Sequence, residues 1–210
     1  MRVFLIHGMG RSRASLLLLA SRLKRSGHLP SLFGYSVVRH SMDALAERFL
    51  SHIQSVLQED YKSARHDASE YAIVGHSLGN IITRHCSARL PPGLCRFAML
   101  APPNHSPLLA KRLEEHPLFR ILTKDAGQRL ADDSFYKNLD SPDVPTLIFA
   151  GNKGPKRPWL PFKERPSDGV VLVDETRLAG AKLIVLPVLH TFIMNHPVVA
   201  KELNRFLKCS

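Results

Sequence analysis

The amino-acid sequence predicts an α/β protein: one mostly parallel sheet of about six strands, helices on both of its faces, and a small helical cap. Three observations predict this. Short, almost continuously apolar runs at residues 3–6, 71–74, 97–101, 146–150 and 182–188 have the form of strands buried on both faces. Stretches of helical periodicity separate them, the alternation expected of a parallel sheet with crossover helices. The length of 210 residues is that of a single domain, residues 1–210, able to bury its own core.

Taken in order, residues 3–6 form a strand that runs into His7-Gly8-Met9-Gly10, a loop whose backbone N–H groups can turn toward a ligand. Ser12 is placed to cap a helix with Leu16, Leu19, Ala20 and Leu23 on one face and Gly27 as its stop. Residues 32–38 read as a second strand carrying Gly34 and Tyr35, and Ser41 caps a helix of four turns or more along Met42, Leu45, Phe49, Ile53, Val56 and Leu57. Residues 60–70 are polar and read as a loop. Residues 71–86, YAIVGHSLGNIITRHC, pass from an apolar strand through Gly75-His76-Ser77-Leu78-Gly79 into a helical pattern of Leu78, Ile81, Ile82 and Cys86.

Pro91-Pro92-Gly93 ends that helix, and the strand at 97–101 stops at Pro102-Pro103. The strand rhythm then pauses over residues 104–145, where short amphipathic helices fit. A cap insertion over the sheet edge is expected there, with Leu108, Leu109, Leu113, Leu118, Phe119 and Leu122 as candidates for lining a substrate pocket. Helices that merely complete the core would look the same. After the strand at 146–150, a Pro-, Lys- and Arg-rich loop with Trp159 and Phe162 leads to Ser167-Asp168-Gly169-Val170-Val171, then to the last strand at 182–188. Val198, Val199, Leu203, Phe206 and Leu207 mark a closing amphipathic helix.

The stretch around Ser77 carries the chemistry. Two flanking glycines let a strand turn sharply into a helix, which forces the serine into a strained conformation and lifts its hydroxyl above the sheet edge. A helix-capping serine in a tight turn is the plain alternative. A neutral serine is a poor nucleophile and needs a base held by a third group. Of eleven histidines, His190 follows a sheet strand at the same edge and is the candidate base; His196, before Pro197, reads as a helix cap, and His76 is expected to point away from Ser77. Asp168 and Asp174 both qualify by position as the acid. Gly169 after Asp168 gives a turn that could present the carboxylate, whereas Asp174-Glu175 reads as solvated loop. The order Ser77, Asp168, His190 is that of one of the three known triad arrangements.

Composition bounds the rest. Lys and Arg number 29 against 18 Asp and Glu, a formal net charge of +11, and no acidic residue precedes Asp43. This basic surface suits anionic partners and leaves room for transient contact with an anionic membrane surface. Without zinc-finger, RNA-recognition or basic-heptad patterns, no specific nucleic acid is expected. Three cysteines, Cys86, Cys95 and Cys209, have no paired spacing, the strand pattern starts at Val3, and no apolar run reaches the roughly twenty residues of a bilayer span. A cytoplasmic protein needing no cofactor and no metal is expected.

Five segments together resemble α/β-hydrolases of the bacterial lipase and GPI inositol-deacylase-like esterase branch. They are Phe4-Leu5-Ile6-His7-Gly8-Met9-Gly10, Gly75-His76-Ser77-Leu78-Gly79, Ala101-Pro102-Pro103-Asn104-His105, Ser167-Asp168-Gly169-Val170-Val171, and His190 with Thr191-Phe192-Ile193-Met194. Ser106-Pro107 departs from the glycine usual in that family after the Pro-Pro-Asn-His element. The resemblance implies Ser77, Asp168 and His190 as a catalytic triad, and the backbone N–H groups of Met9 and Leu78 as an oxyanion hole. It also implies the hydrolase sheet without its first two antiparallel strands, and a small-molecule or lipid ester as substrate. Acyl transfer or thioester cleavage on the same fold, and a non-catalytic protein binding acidic partners through its basic face, are the alternatives.

Overall fold

The computed structural model describes residues 1–63, 70–140, 143–158 and 161–208; Trp159 and Cys209 lie outside these, as does most of the expected 60–70 loop. Six strands form one sheet in the order β2-β1-β3-β4-β5-β6, and every pairing is parallel. They are β1 (Arg2–Ile6), β2 (Leu29–Phe33), β3 (Tyr71–His76), β4 (Leu94–Leu100), β5 (Thr146–Gly151) and β6 (Lys182–Leu186).

Alternate residues of each central strand feed two separate cores, as the two-residue period of a strand requires. Phe4, Ile6, Tyr71, Ile73, Phe97, Met99 and Ile148 face the layer built by α2 (Met42–Lys62) and α3 (Leu78–His85). Val3, Leu5, Ala72, Val74, Ala98, Leu100, Leu147 and Phe149 face α1 (Leu17–Arg25) and α7 (Pro197–Phe206). Because both faces are covered, β1 and β3 are buried almost throughout, which is why they read as unbroken apolar runs. Among the described residues no helix is long and apolar enough to cross a membrane.

Several boundaries differ from the sequence reading: β4 begins at Leu94 rather than 97, β6 ends at Leu186 rather than 188, and Ser12 caps no helix with its side chain, since α1 starts at Leu17 behind a 3-10 turn. The second strand lies at 29–33 rather than 32–38, on the sheet edge, where Pro30 deprives the ladder of no donor it needs. The polar run beginning at Asp60 is not all loop: α2 continues to Lys62, and Asp60 is 6% exposed, paired with Arg2 at the start of β1. Arg2 Nε donates to Asp60 Oδ2 at 2.6 Å, and the second guanidinium nitrogen meets Oδ1. Ser41 does cap α2, its hydroxyl accepting from the Ala44 N–H at 3.3 Å.

Between β4 and β5 the chain forms α4 (Leu108–Leu113), α5 (Pro117–Ala131) and α6 (Asp133–Lys137). Both ends of this excursion are tied to α3 by one buried guanidinium. Arg84 donates to the Asn104 carbonyl and Oδ1 at 3.4 and 3.3 Å, and to the carbonyls of Leu139 and Asp140 at 3.2 and 3.0 Å.

Candidate active site

Ser77 sits between β3 and α3 with φ 49° and ψ −121°, a conformation that costs a non-glycine residue about 1–3 kcal/mol. The surrounding packing holds it there. A Cβ on Gly79 would lie 2.7 and 2.8 Å from the carbonyl oxygens of Ile6 and His7, so α3 can approach β1 only with glycine at that position. On the other side the Ser77 N–H is bonded to the Leu100 carbonyl of β4 at 2.9 Å, and Asn80 Nδ2 donates to the Ser77 carbonyl at 3.1 Å.

The turn leaves two N–H groups free beside it. Leu78 opens α3, where a helix N–H has no intrahelical acceptor. The Met9 N–H, in the loop after β1, has no hydrogen-bond partner among the described residues.

His190 follows β6 in a short 3-10 turn, and its Nδ1 lies 2.7 Å from Asp168 Oδ2. The other carboxylate oxygen, Oδ1, accepts from Val170 N at 2.9 Å and Val171 N at 2.8 Å, so both oxygens of this buried side chain are engaged and its rotamer is set. The backbones are joined as well, His190 N donating to the Asp168 carbonyl at 3.0 Å. Donation by Nδ1–H to the carboxylate makes Nε2 the acceptor nitrogen, free to take a proton from the cavity side. Asp174 is exposed and pairs with Arg165 and Arg177, away from His190. His196 caps α7, its Nδ1 accepting from Val198 N at 3.3 Å.

Ser77 and His190 line one cavity of about 260 Å³, with Met9, Leu109, Leu113 and Phe119 among its walls. Among the described residues the Ser77 hydroxyl makes no hydrogen bond, and contacts of this kind are often loose before substrate binds. Three residues expected to line the pocket do not. Leu118 and Leu122 are 62% and 60% exposed, on the outward arc of α5, and Leu108 lies at the start of α4 outside the cavity. Ala110 and Leu130, not singled out beforehand, take their place.

His76 also lines the cavity, its ring centre 5.0 Å from that of His190. Its Nε2–H donates to the His190 carbonyl at 3.2 Å, while burial and the neighbouring His190 hold its pKa well below the usual histidine value. Glu175, read as solvated, is half-buried, and burial raises its pKa. Its carboxylate accepts from Leu108 N and Leu172 N, both at 2.8 Å, so it joins the first turn of α4 to the loop carrying Asp168. Cys86, just past the end of α3, is buried with its thiol pushed up to about 12, too high for a nucleophile at neutral pH.

The parallel sheet and its flanking helices have counterparts among solved structures. The mature form of the Bacillus licheniformis lipase BlEst2 superimposes with a TM-score of 0.70 over 97% of this chain and 91% of its own, at 20% identity. The fold is that of an α/β-hydrolase. Phospholipase PlaB from Legionella pneumophila, in complex with thio-NAD, matches all of this chain over 59% of its own, with TM-score 0.73 and 20% identity. The ydeN gene product of B. subtilis aligns at 0.63 and 16% identity, over 98% and 97% of the two chains. By sequence, the chain matches no family model and no curated protein. Within the α/β-hydrolase sheet, Met9, Ser77 and His190 all lie past the carboxyl ends of their strands, where ligands of such sheets bind.

Proposed function

We propose that this α/β-hydrolase is a serine esterase that cleaves carboxylic esters through an acyl-enzyme. The observation that carries this reading is the 2.7 Å His190–Asp168 contact beside the cavity that Ser77 and His190 share. Ser77 Oγ attacks the ester carbonyl carbon as His190 Nε2 takes its proton. Asp168 holds the imidazole tautomer and offsets the new positive charge without accepting the proton itself. The carbonyl oxygen, now an oxyanion, accepts from the N–H groups of Met9 and Leu78. His190 returns the proton to the alcohol oxygen as the C–O bond breaks. Water then attacks acyl-Ser77, again giving a proton to His190, and collapse of the second tetrahedral species frees the acid and restores the serine hydroxyl. The scheme uses no cofactor and no metal ion.

In this reading the segment 104–145 is a cap, and Leu109, Leu113, Phe119 and Leu130 receive the acyl chain. A fluorophosphonate probe tests the nucleophile. It should label wild-type protein at Ser77 alone, and Ser77→Ala should abolish labelling and lower kcat on p-nitrophenyl hexanoate by on the order of a millionfold. Near wild-type turnover in folded Ser77→Ala protein would overturn the reading.

A further inference from the structure

A cluster of arginines lines a concavity that borders the same hollow as the Ser77 cavity, and the hydrolytic scheme uses none of them. Arg13, Arg39, Arg48 and His40, with the hydroxyls of Ser12 and Ser36, line a concavity of about 480 Å³ that contains no carboxylate. Among the described residues Arg13, Arg39 and Arg48 enter no ion pair. Glu47 borders the adjoining hollow but is held by Arg89. Three guanidinium groups on one concave wall repel one another unless an anion sits among them, and their planar forks suit phosphate oxygens.

The wall is built rather than incidental. A Cβ on Gly34 would lie 2.9 Å from both Cγ and Cδ of Arg13, so that side chain rests flat on bare backbone. The next residue, Tyr35, stacks on His7 with ring centres 4.3 Å apart and planes 2° from parallel, and donates its hydroxyl to the His7 carbonyl at 2.8 Å. The floor of the concavity is thereby fastened to the end of β1.

The concavity and the Ser77 cavity are both bordered by a third hollow. A groove edged by Val38 and Leu122 shares His7, Tyr35 and Ser36 with the arginine wall, and Met9 and Arg11 with the Ser77 cavity. At Gly8 an added Cβ would lie 2.9 Å from Ser77 Cβ, and His7 is its neighbour in the chain. His7, which borders the arginine-lined space, is thus the chain neighbour of a residue packed against the serine turn.

We propose that Arg13, Arg39 and Arg48 form a subsite for the phosphate group of an ester whose acyl carbonyl lies at Ser77. This rests on Ser77 as nucleophile and names the class of substrate: a carboxylic ester carrying a phosphate a short spacer away from its carbonyl. A phospholipid headgroup and a soluble phosphorylated compound share this chemistry.

Binding is measured by calorimetry in the Ser77→Ala background, which turns nothing over, with glycerol 3-phosphate and with monomeric dihexanoyl phosphatidylglycerol. Arg13→Ala, Arg39→Ala and Arg48→Ala should each weaken binding about tenfold, the size of one charge-assisted contact. Gly34→Ala, which keeps every charge but displaces Arg13, should weaken it too. With Ser77 restored, each arginine variant should lower kcat/KM on dihexanoyl phosphatidylglycerol relative to that on p-nitrophenyl hexanoate by a similar factor, through KM. Tighter binding of the phosphatidylglycerol assigns the subsite to a lipid headgroup, and equal binding assigns it to a soluble phosphate ester; both support the proposal. Phosphate ligands that bind all variants alike, an unchanged kcat/KM ratio, or affinity for duplex DNA with none for either small phosphate would overturn it. Fluorophosphonate labelling of the matching proteins with Ser77 restored keeps the two readings apart, since phosphate binding without labelling at Ser77 defeats the nucleophile and not the subsite.

Discussion

At the scale of single residues, the decisive side chain is Asp168, because one of its oxygens is spent on two backbone N–H groups and only the other reaches His190. In Asp168→Asn the amide oxygen would stay with Val170 and Val171 and the NH2 group would face Nδ1. That forces the proton onto Nε2, the wrong tautomer for a base. Steady-state kcat on p-nitrophenyl hexanoate should fall by about 10⁴, while Asp174→Asn should leave it nearly unchanged. A large loss in the second variant and a small one in the first would transfer the acid role to Asp174. The sequence offered both aspartates by position and distinguished them through Gly169, which has a φ of 95° in the turn after Asp168. Other residues gave no such sign. His76, expected to point away from Ser77, carried no sign that its Nε2 would meet the His190 carbonyl at 3.2 Å. Glu175 stands among charges in the chain, and nothing in that pattern shows that its acceptors are employed by the backbone of Leu108 and Leu172.

At the scale of elements, the strands and the serine turn are legible because burial on both faces leaves little but apolar residues, whereas α5 is apolar on two sides. Phe119, Ala126 and Leu130 face inward; Leu118, Ile121 and Leu122 face out, so periodicity alone has no way to choose the face. A backbone break at Lys124, with φ 46° and ψ −133°, further disrupts the repeat. The inward set carries the consequence for substrate length. Each acyl CH₂ buried against Leu113 and Phe119 is worth up to about 0.8 kcal/mol, roughly fourfold in kcat/KM. Wild-type protein should therefore prefer octanoyl to acetyl esters, and Leu113→Ala and Phe119→Ala should flatten that preference while Leu118→Ser leaves it intact. A series of p-nitrophenyl esters of rising length measures this, and a wild-type kcat/KM that declines steadily from acetyl to octanoyl would exclude an acyl pocket of this kind.

At the scale of the whole molecule, four histidines bind protons less readily in the fold than in the unfolded chain. His7, His28, His52 and His76 all have pKa values lowered from 6.5, each chiefly by burial. For a group lowered in the fold, the stabilising contribution is complete above the unfolded value and is lost as pH falls through the folded one. Glu175 acts in the opposite sense, its contribution being full below 4.5 and lost as pH rises through its raised value. With four groups against one, the urea midpoint should fall when pH is lowered from 7.5 to 5, with protons taken up on unfolding. A flat or rising midpoint over that interval would contradict the burial assigned to these rings. The strand order β2-β1-β3-β4-β5-β6 has a further consequence, during synthesis. It departs from chain order only where the first two strands exchange places, so each strand that emerges after β3 docks on an edge already formed. At ribosomal speeds of about 5–20 residues per second, roughly 6–23 s separate the appearance of Ser77 from that of His190. Early in that interval the nascent chain displays a bare β4 margin, an open template for other strands until Thr146–Gly151 arrives to cover it, and in the proposed scheme Ser77 waits for the whole interval without its base.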